Sequence, residues 1–580
     1  MQHAPGKGAC FLSDGIDYNE SRKYTALMDI KSLQSTMKGE ILDDAATRAR
    51  YSRDTSLFEV MPAAVAYPKD TEDVKSLVRF ARDAKMRGEP VSLTARAAGT
   101  DMSGGPLSES IIVDFSNHFT RIGDIGTLVN VTGGEPEGFA VAEPGVFYRD
   151  FERATLAKGF LLPSYPASRE LCAIGGMVAN DAGGEKTLKY GKTHDYVRRL
   201  RVVLADGEEY ELKPLSPAEL AKKESGDSFE SGIYRKMHAL LDKHADLVKN
   251  AKPKVSKNSA GYNLWDIWDG KRFDLTKLFT GSQGTLGLVT EAELKLVRAK
   301  PHAGILVMFL NDFSKVVPVI REVLPLGPSS FESFDDQTFK LALKYFWGFL
   351  KLMAKNPFSL ALAFLPEFWL VLTKGMPKLI LLVEFEEDSK EEVVRKLSAL
   401  RAKLAPLGFP MRIAADEKEA RKYWLIRRES FNLLRTRVKG KQTAPFIDDL
   451  IVLPEHVPAF LPALYAILER HGIFSTVAGH MGDGNFHIIP LMRLADEADR
   501  AKIRPVMDEV YALVLHHGGS ITAEHNDGLV RSPYLEDMFG REVCVLFAEV
   551  KGIFDPQGIF NPGKKVGASM EYAMAHIKRS

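Results

Sequence analysis

Short apolar runs alternate with amphipathic stretches along most of this chain, and the two periods predict different elements. Ala64-Val65-Ala66-Tyr67, closed by Pro68, reads as a short strand. Thr71 to Arg87 carries Val74, Leu77, Val78 and Ala81 on one face, with Thr71 as cap and Asp73 in the first turn, which predicts an amphipathic helix. Val91 to Thr94, Ile111 to Phe115 and Val141 to Val146 read as further strands. Tyr148 to Lys158 reads as a helix stopped at Gly159. Leu200 to Leu204 runs into an Asp206-Gly207 hairpin turn. Beyond about residue 300 the alternation resumes, with strands at Gly304 to Phe309 and Leu379 to Glu384. Helices are expected at Asp312 to Leu324, Glu391 to Leu404 and Arg421 to Thr436. Strand–helix units with antiparallel returns predict an α+β class.

Three stretches fit this alternation less well. Residues 1–56 are polar and helix-compatible and read as a surface-packed lead-in without chemistry. Residues 214–260 are charged and Ser-rich and read as peripheral helices. Tyr345 to Leu352 and Phe358 to Leu372 are aromatic and apolar, flanked by Lys344, Lys351, Lys355, Lys374 and Lys378. Pro357, Pro366 and Glu367 interrupt that segment, so it is not expected to span a bilayer. It fits either a peripheral membrane element or a lid over the active site.

Composition narrows the setting. At 580 residues the chain has room for several domains, and a net charge of +1 gives no reason to expect nucleic acid. Three widely spaced cysteines, Cys10, Cys172 and Cys544, form no CxxC pair and no iron–sulfur run. With no basic-then-apolar leader at the N-terminus, the expected setting is a reducing cytoplasm.

The densest chemistry lies in Gly479-His480-Met481-Gly482-Asp483-Gly484-Asn485-Phe486-His487 and, about forty residues on, Ala523-Glu524-His525-Asn526-Asp527-Gly528. The spacing of His480 and His487 suits two strand segments folded back through the Gly-Asp-Gly turn. His480, His487, His525 and Glu524 offer donors for a divalent metal, and three of them, expected to be His480, His487 and Glu524, would leave a coordination position open. Zinc is the usual expectation for two His and one Glu, and manganese or iron would fit the same ligands. Glu524 and His525 are neighbours, so an extended segment would point them opposite ways, one to metal and the other to substrate. Further upstream, small-residue loops follow strands at Arg96 to Gly105, Ile174 to Gly184 and Gly281 to Thr290. Such loops present backbone N–H groups and allow close approach to a flat ligand. They are neither a G-x-G-x-x-G fingerprint nor a P-loop.

These motifs together resemble the vanillyl-alcohol-oxidase-type flavoproteins. The resemblance rests on Arg-Ala-Ala-Gly-Thr at 96–100, Pro-Ala-Ser at 166–168, Ile-Gly-Gly-Met-Val-Ala-Asn-Asp-Ala-Gly-Gly at 174–184 and Gly-Ser-Gln-Gly-Thr-Leu-Gly-Leu-Val-Thr-Glu at 281–291. The two C-terminal segments are similar to those of FAD-linked D-2-hydroxy-acid dehydrogenases: D-lactate and D-2-hydroxyglutarate dehydrogenases and glycolate oxidase subunits. The likeness runs from about 57 to 565. It implies a two-lobed PCMH-type FAD-binding domain over 57–300, then an α+β FAD-linked oxidase C-terminal substrate and metal domain over 301–565. Residues 566–580 are left as a tail. Carried over, the pyrophosphate loop falls on Arg96, Ala98, Gly99, Thr100, Asp101, Gly104 and Gly105. Flavin-side contacts fall on Pro166, Ala167, Ser168, Gly175, Gly176, Asn180 and Gly183, with Gly287 and Val289 near the adenine half. No His or Cys lies between Arg96 and Gly105, so the FAD is expected to be non-covalent.

The same resemblance makes His525 the base and Arg427, three residues after Trp424, the clamp for the substrate carboxylate. Gln283 stands where relatives often have Glu, and Asn526 where they often have Gly. Ile447 and Ile489 replace polar residues of dicarboxylate-specific relatives, which favours a D-lactate-like acid. Electrons are expected to leave for a quinone, a cytochrome or a separate iron–sulfur subunit, the last because the chain ends without a Cys-rich region. Any membrane contact would be at the inner face. Two rival readings are an ether-lipid-synthase-like flavoenzyme without net oxidation, and a non-catalytic flavin subunit.

Overall fold

The computed structural model describes residues 30–128, 135–344, 369, 372–373, 375–414, 419–424, 426–427 and 440–579. Most of the aromatic stretch at 345–372, residues 428–436 of the helix expected from Arg421, and Cys10 lie outside the described residues. Among the described residues no helix is long and apolar enough to cross a membrane.

Three sheets organise the chain. In the first, Ala64–Tyr67 and Leu93–Arg96 flank Ile111–Asp114 in parallel, and Glu40–Leu42 adds an antiparallel edge. Ala64–Tyr67 and Ile111–Asp114 are buried throughout, as strands covered on both faces must be. The helix Thr71–Met86 packs Val74, Leu77, Val78 and Ala81 against them. Its cap is Asp70 rather than Thr71: the Asp70 carboxylate accepts from the N–H groups of Glu72 and Asp73. Residues 40–56 are therefore more than a lead-in. They complete this sheet, and the carbonyls of Tyr51 and Arg53 accept from the Arg96 guanidinium at 3.2 and 2.7 Å.

The second sheet is antiparallel, ordered Ile122–Thr127, Gly138–Ala142, Leu288–Arg298, Val197–Val203, Glu209–Leu212. The third is also antiparallel and runs Met411–Ala414, His302–Leu310, Leu379–Glu387, Ser330–Asp335, Ser475–His480, Asn485–Met492, Gln442–Thr443. Its central strands are apolar on both faces for a reason visible in the packing. Leu306, Met308, Leu381 and Val383 meet helices Val316–Val323 and Lys390–Leu404. The alternate residues Ile305, Val307, Ile380 and Leu382 share a core with Tyr423, Trp424 and Ile426. That second core fixes the chain that carries Arg427.

Helices Pro217–Glu224, Phe229–Lys243 and Ala245–Ala251 occupy the segment expected to be peripheral, but its end is not peripheral. Lys257 and Ser259 are buried against the 522–527 turn. The C-terminal tail also packs back: the Lys578 N–H donates to the Leu57 carbonyl at 3.0 Å.

Candidate active site

The two motif strands form the expected hairpin, Ser475–His480 and Asn485–Met492, closed by residues 481–484. Gly484 at φ +72° supplies the left-handed turn position. The register pairs Ala478 with His487 and His480 with Asn485, so His480 and His487 are diagonal neighbours on one face. Their Nε2 atoms lie 3.3 Å apart, and His480 Nε2 lies 3.4 Å from Glu524 Oε2.

The 522–527 segment corrects one expectation. It is a turn wound around the Asp449 carboxylate rather than an extended strand. Asp449 Oδ2 accepts from the N–H groups of Ala523, Glu524 and His525 at 2.9, 2.8 and 2.7 Å and from Thr522 Oγ1 at 2.7 Å. Glu524 and His525 consequently both line one cleft instead of diverging. Asp449 lies close enough to His487, Glu524 and His525 to join a ligand cluster with them. Its Oδ1 is also taken, by Asn485 Nδ2 at 3.1 Å, so Asp449 is committed to holding the turn.

Asn526 follows at φ 65°, where the resemblance expects Gly. Asn tolerates this region, and its Nδ2 donates to the Gly281 carbonyl at 2.8 Å and that of Asn180 at 3.2 Å. The substitution keeps the turn and ties it to two of the Gly-rich loops. Gln283, at φ 52°, does similar work. Its amide donates to Ser103 Oγ and Asn180 Oδ1 and accepts from the Gly528 N–H. A Glu here would lose the donations.

The cleft gathers most of the residues marked in the sequence. Arg96, Ala98, Gly99, Thr100, Asp101 and Gly105 line it from the first loop. Pro166, Ala167, Ser168, Gly175, Gly176, Asn180 and Gly183 line it from the second, and Gly287 and Val289 from the third. Arg427, His480, His487, Glu524 and His525 complete it. Gly104 is not in the wall: it is buried, and a Cβ there would fall 2.8 Å from the Phe58 ring. Asp101 organises its own loop, accepting from Ser103 N and Gly105 N at 2.9 and 2.8 Å. The Gly and Ala walls suit a flat, extended dinucleotide. A Cβ on Gly176 would have only Ala97 near it, at 3.9 Å, whereas one on Gly183 would press on Glu524 Oε1 at 3.2 Å.

Sequence reasoning missed three buried charges. Glu332 lies opposite His480 across the sheet and places Oε1 2.6 Å from His480 Nδ1. Asp448 sits 2.8 Å from His525 Nδ1 and 3.3 Å from His487 Nδ1, and the last two rings stack 5.0 Å apart. Lys257 bridges Glu524 Oε1 at 2.6 Å and Asp483 Oδ2 at 3.0 Å. An acid inside an apolar strand, as in Phe331-Glu332-Ser333-Phe334, and the pair Asp448-Asp449 between Ile447 and Leu450 were legible anomalies. Lys257, in a Lys- and Ser-rich run, carried no comparable signal.

The charge balance bears on a metal. Glu332, Asp448, Asp449, Asp483 and Glu524 are buried here, against Lys257, Arg427 and Arg531. Five carboxylates against three fixed cations leave two negative charges among these described residues. Burial alone would lower His480 and His525. The carboxylates Glu332 and Glu524 instead raise His480 to about 9, and Asp449 and Asp448 raise His525 to about 9. Burial lowers His487, and its neighbours do not reverse that. Burial opposes ionisation of Asp448 and Glu524, yet the histidines, with Lys257 beside Glu524, hold both well below the usual carboxylate range. Protonated His480 and His525 balance those two negative charges, and a bound dication would take the place of their protons and lower the pKa of a neighbouring imidazolium. The donors therefore fit a divalent cation.

Fold and cleft together define a two-domain flavoprotein. Residues 62–213 match the FAD binding domain and residues 300–565 the C-terminal domain of FAD linked oxidases. The chain thus carries both of these domains. It is 28% identical over 541 residues to a D-2-hydroxyglutarate dehydrogenase of Pseudomonas putida, covering 91% of this chain and 51% of that protein. The chain thus spans about half the length of that relative. It is 27% identical to the glycolate oxidase subunit GlcD of Bacillus subtilis, covering 92% of this chain and 96% of that one. In fold it is similar to 4-ethylphenol oxidase from Gulosibacter chungangensis, with a TM-score of 0.66 and 16% identity over 97% of this chain and 100% of that one.

Proposed function

We propose that this chain is an FAD-dependent dehydrogenase that oxidises a D-2-hydroxy acid, with a small lactate-like acid favoured, to the 2-oxo acid. The observation that carries the reading is the convergence of His480, His487, Glu524 and His525 in the wall of the cleft that the Gly-rich loops also line. Bound, non-covalent FAD would supply the two-electron acceptor, and a divalent cation, zinc by ligand type, held by His480, His487 and Glu524 would supply Lewis acidity toward the substrate oxygens.

The protein's own part is positional. Arg427 offers a guanidinium to the substrate carboxylate. His525, oriented by Asp448, takes the hydroxyl proton as the α-hydrogen leaves as hydride. Asp449 fixes the backbone of both Glu524 and His525 through one oxygen. Ile489 lines the cleft and supports the lactate-like preference, whereas Ile447 is wholly buried and outside the cleft wall. That preference departs from the dicarboxylate named in the Pseudomonas relative. Electrons would pass on to a quinone, a cytochrome or a separate iron–sulfur subunit, in the cytoplasm or at the inner membrane face.

The test is anaerobic addition of D-lactate, D-2-hydroxyglutarate and glycolate to the FAD-loaded protein. Bleaching of the oxidised flavin band by one acid supports the reading and identifies the substrate. Loss of that response after chelation, with the flavin band retained, supports the metal. An unchanged response in metal-free protein would contradict it.

A further inference from the structure

Glu332 is 1% exposed on strand Ser330–Asp335 and lines the cleft. Its two oxygens go to different partners. Oε1 is 2.6 Å from His480 Nδ1, the nitrogen remote from the other donors, and Oε2 accepts from Arg427 Nε at 3.1 Å. The first contact follows from the register, since Glu332 and His480 are directly paired and their side chains share a face. It fixes the tautomer that leaves Nε2 facing His487 and Glu524, and a carboxylate behind a ligating imidazole strengthens it as a donor. The second contact holds the guanidinium by Nε, so the orientation of Arg427 depends on the same carboxylate.

Resting on the reading above, we propose that Glu332 is a positioning residue that couples the metal site to recognition of the substrate carboxylate, acting through His480 and Arg427. The two halves of the site would then not be independent. Whatever displaces Glu332 would weaken the metal and misplace the clamp together.

The test uses the full-length, FAD-loaded protein and two variants, Glu332→Gln and Glu332→Asp. Zinc affinity is measured by competition with a chromophoric chelator, and KM for D-lactate, or for whichever acid bleaches the flavin, at saturating zinc. Glu332→Gln is expected to bind zinc about 10- to 100-fold more weakly. Its KM is expected to rise about fivefold as the guanidinium loses its anchor. Glu332→Asp keeps the charge but is one methylene shorter. It is expected to fall short of both partners and shift both readouts in the same direction. It also keeps the test open should the Gln variant fail to fold. A folded variant with wild-type zinc affinity, or with KM unmoved at saturating zinc, overturns the coupling. A wild-type protein that takes up no zinc while the acid still reduces its flavin overturns the metal reading itself, and this inference with it.

Discussion

His525 is held between two adjacent aspartates. Its backbone N–H donates to Asp449 at 2.7 Å, and its ring Nδ1 lies 2.8 Å from the buried Asp448 carboxylate. Replacing His525 by Ala is expected to cost about 10²- to 10⁴-fold in flavin reduction while the flavin spectrum stays intact, read by anaerobic rapid mixing. Near-normal turnover would remove His525 from the mechanism. Asn526 makes a backbone prediction. At φ 65°, Asn526→Ala should be less stable than Asn526→Gly by about 1 kcal/mol in denaturant unfolding, because only Ala pays for the left-handed conformation once the side-chain bonds are gone in both. Equal stabilities would mean the turn relaxes on substitution. The two acids Glu332 and Asp448 were visible in the sequence only as charges in apolar surroundings. Their partners are set by strand register and by a turn, which composition does not reveal.

At the scale of elements, the sequence was most readable where one period and one stop signal agreed. The helix expected from Thr71 to Arg87 runs Thr71–Met86, and the hairpin around Gly484 forms where the Gly-Asp-Gly turn implied. The 522–527 segment was misread because its shape comes from a residue some seventy positions away, the Asp449 carboxylate, rather than from its own alternation. Residues 256–260 were misread for a similar reason. A Lys in a polar run looks solvated until its two carboxylate partners, Glu524 and Asp483, are known. The strand Leu379–Glu387 carries a comparable case at its far end. Lys186, two residues past the second Gly-rich loop, is buried between Glu384 and Glu386. Burial already lifts the Glu384 carboxyl above the usual range, with Lys186 opposing it. Lys186→Met should destabilise the fold by about 3–5 kcal/mol near neutral pH by leaving buried charge unpaired. A raised carboxyl pKa stabilises the folded state below that pKa and loses the benefit as pH rises through it. The deficit of the variant should therefore shrink as pH falls, measured by denaturant unfolding at acidic and alkaline pH. A deficit independent of pH would contradict this role for the carboxylates.

Across the whole molecule, the three sheets bring one set of loops together from opposite ends of the sequence. Loops near 100, 180 and 283 meet turns near 480 and 525, and Asn526 and Gln283 tie them by hydrogen bonds. The glycine-rich walls and the cluster of His and Glu donors are therefore parts of one cleft. The measurement that tests this most directly is the visible spectrum of the FAD- and zinc-loaded protein, recorded without oxygen before and after D-lactate, D-2-hydroxyglutarate and glycolate are added in turn. A D-2-hydroxy acid, D-lactate foremost, is expected to bleach the oxidised flavin band within the mixing time of a hand experiment. A flavin band that none of the three acids reduces would contradict it.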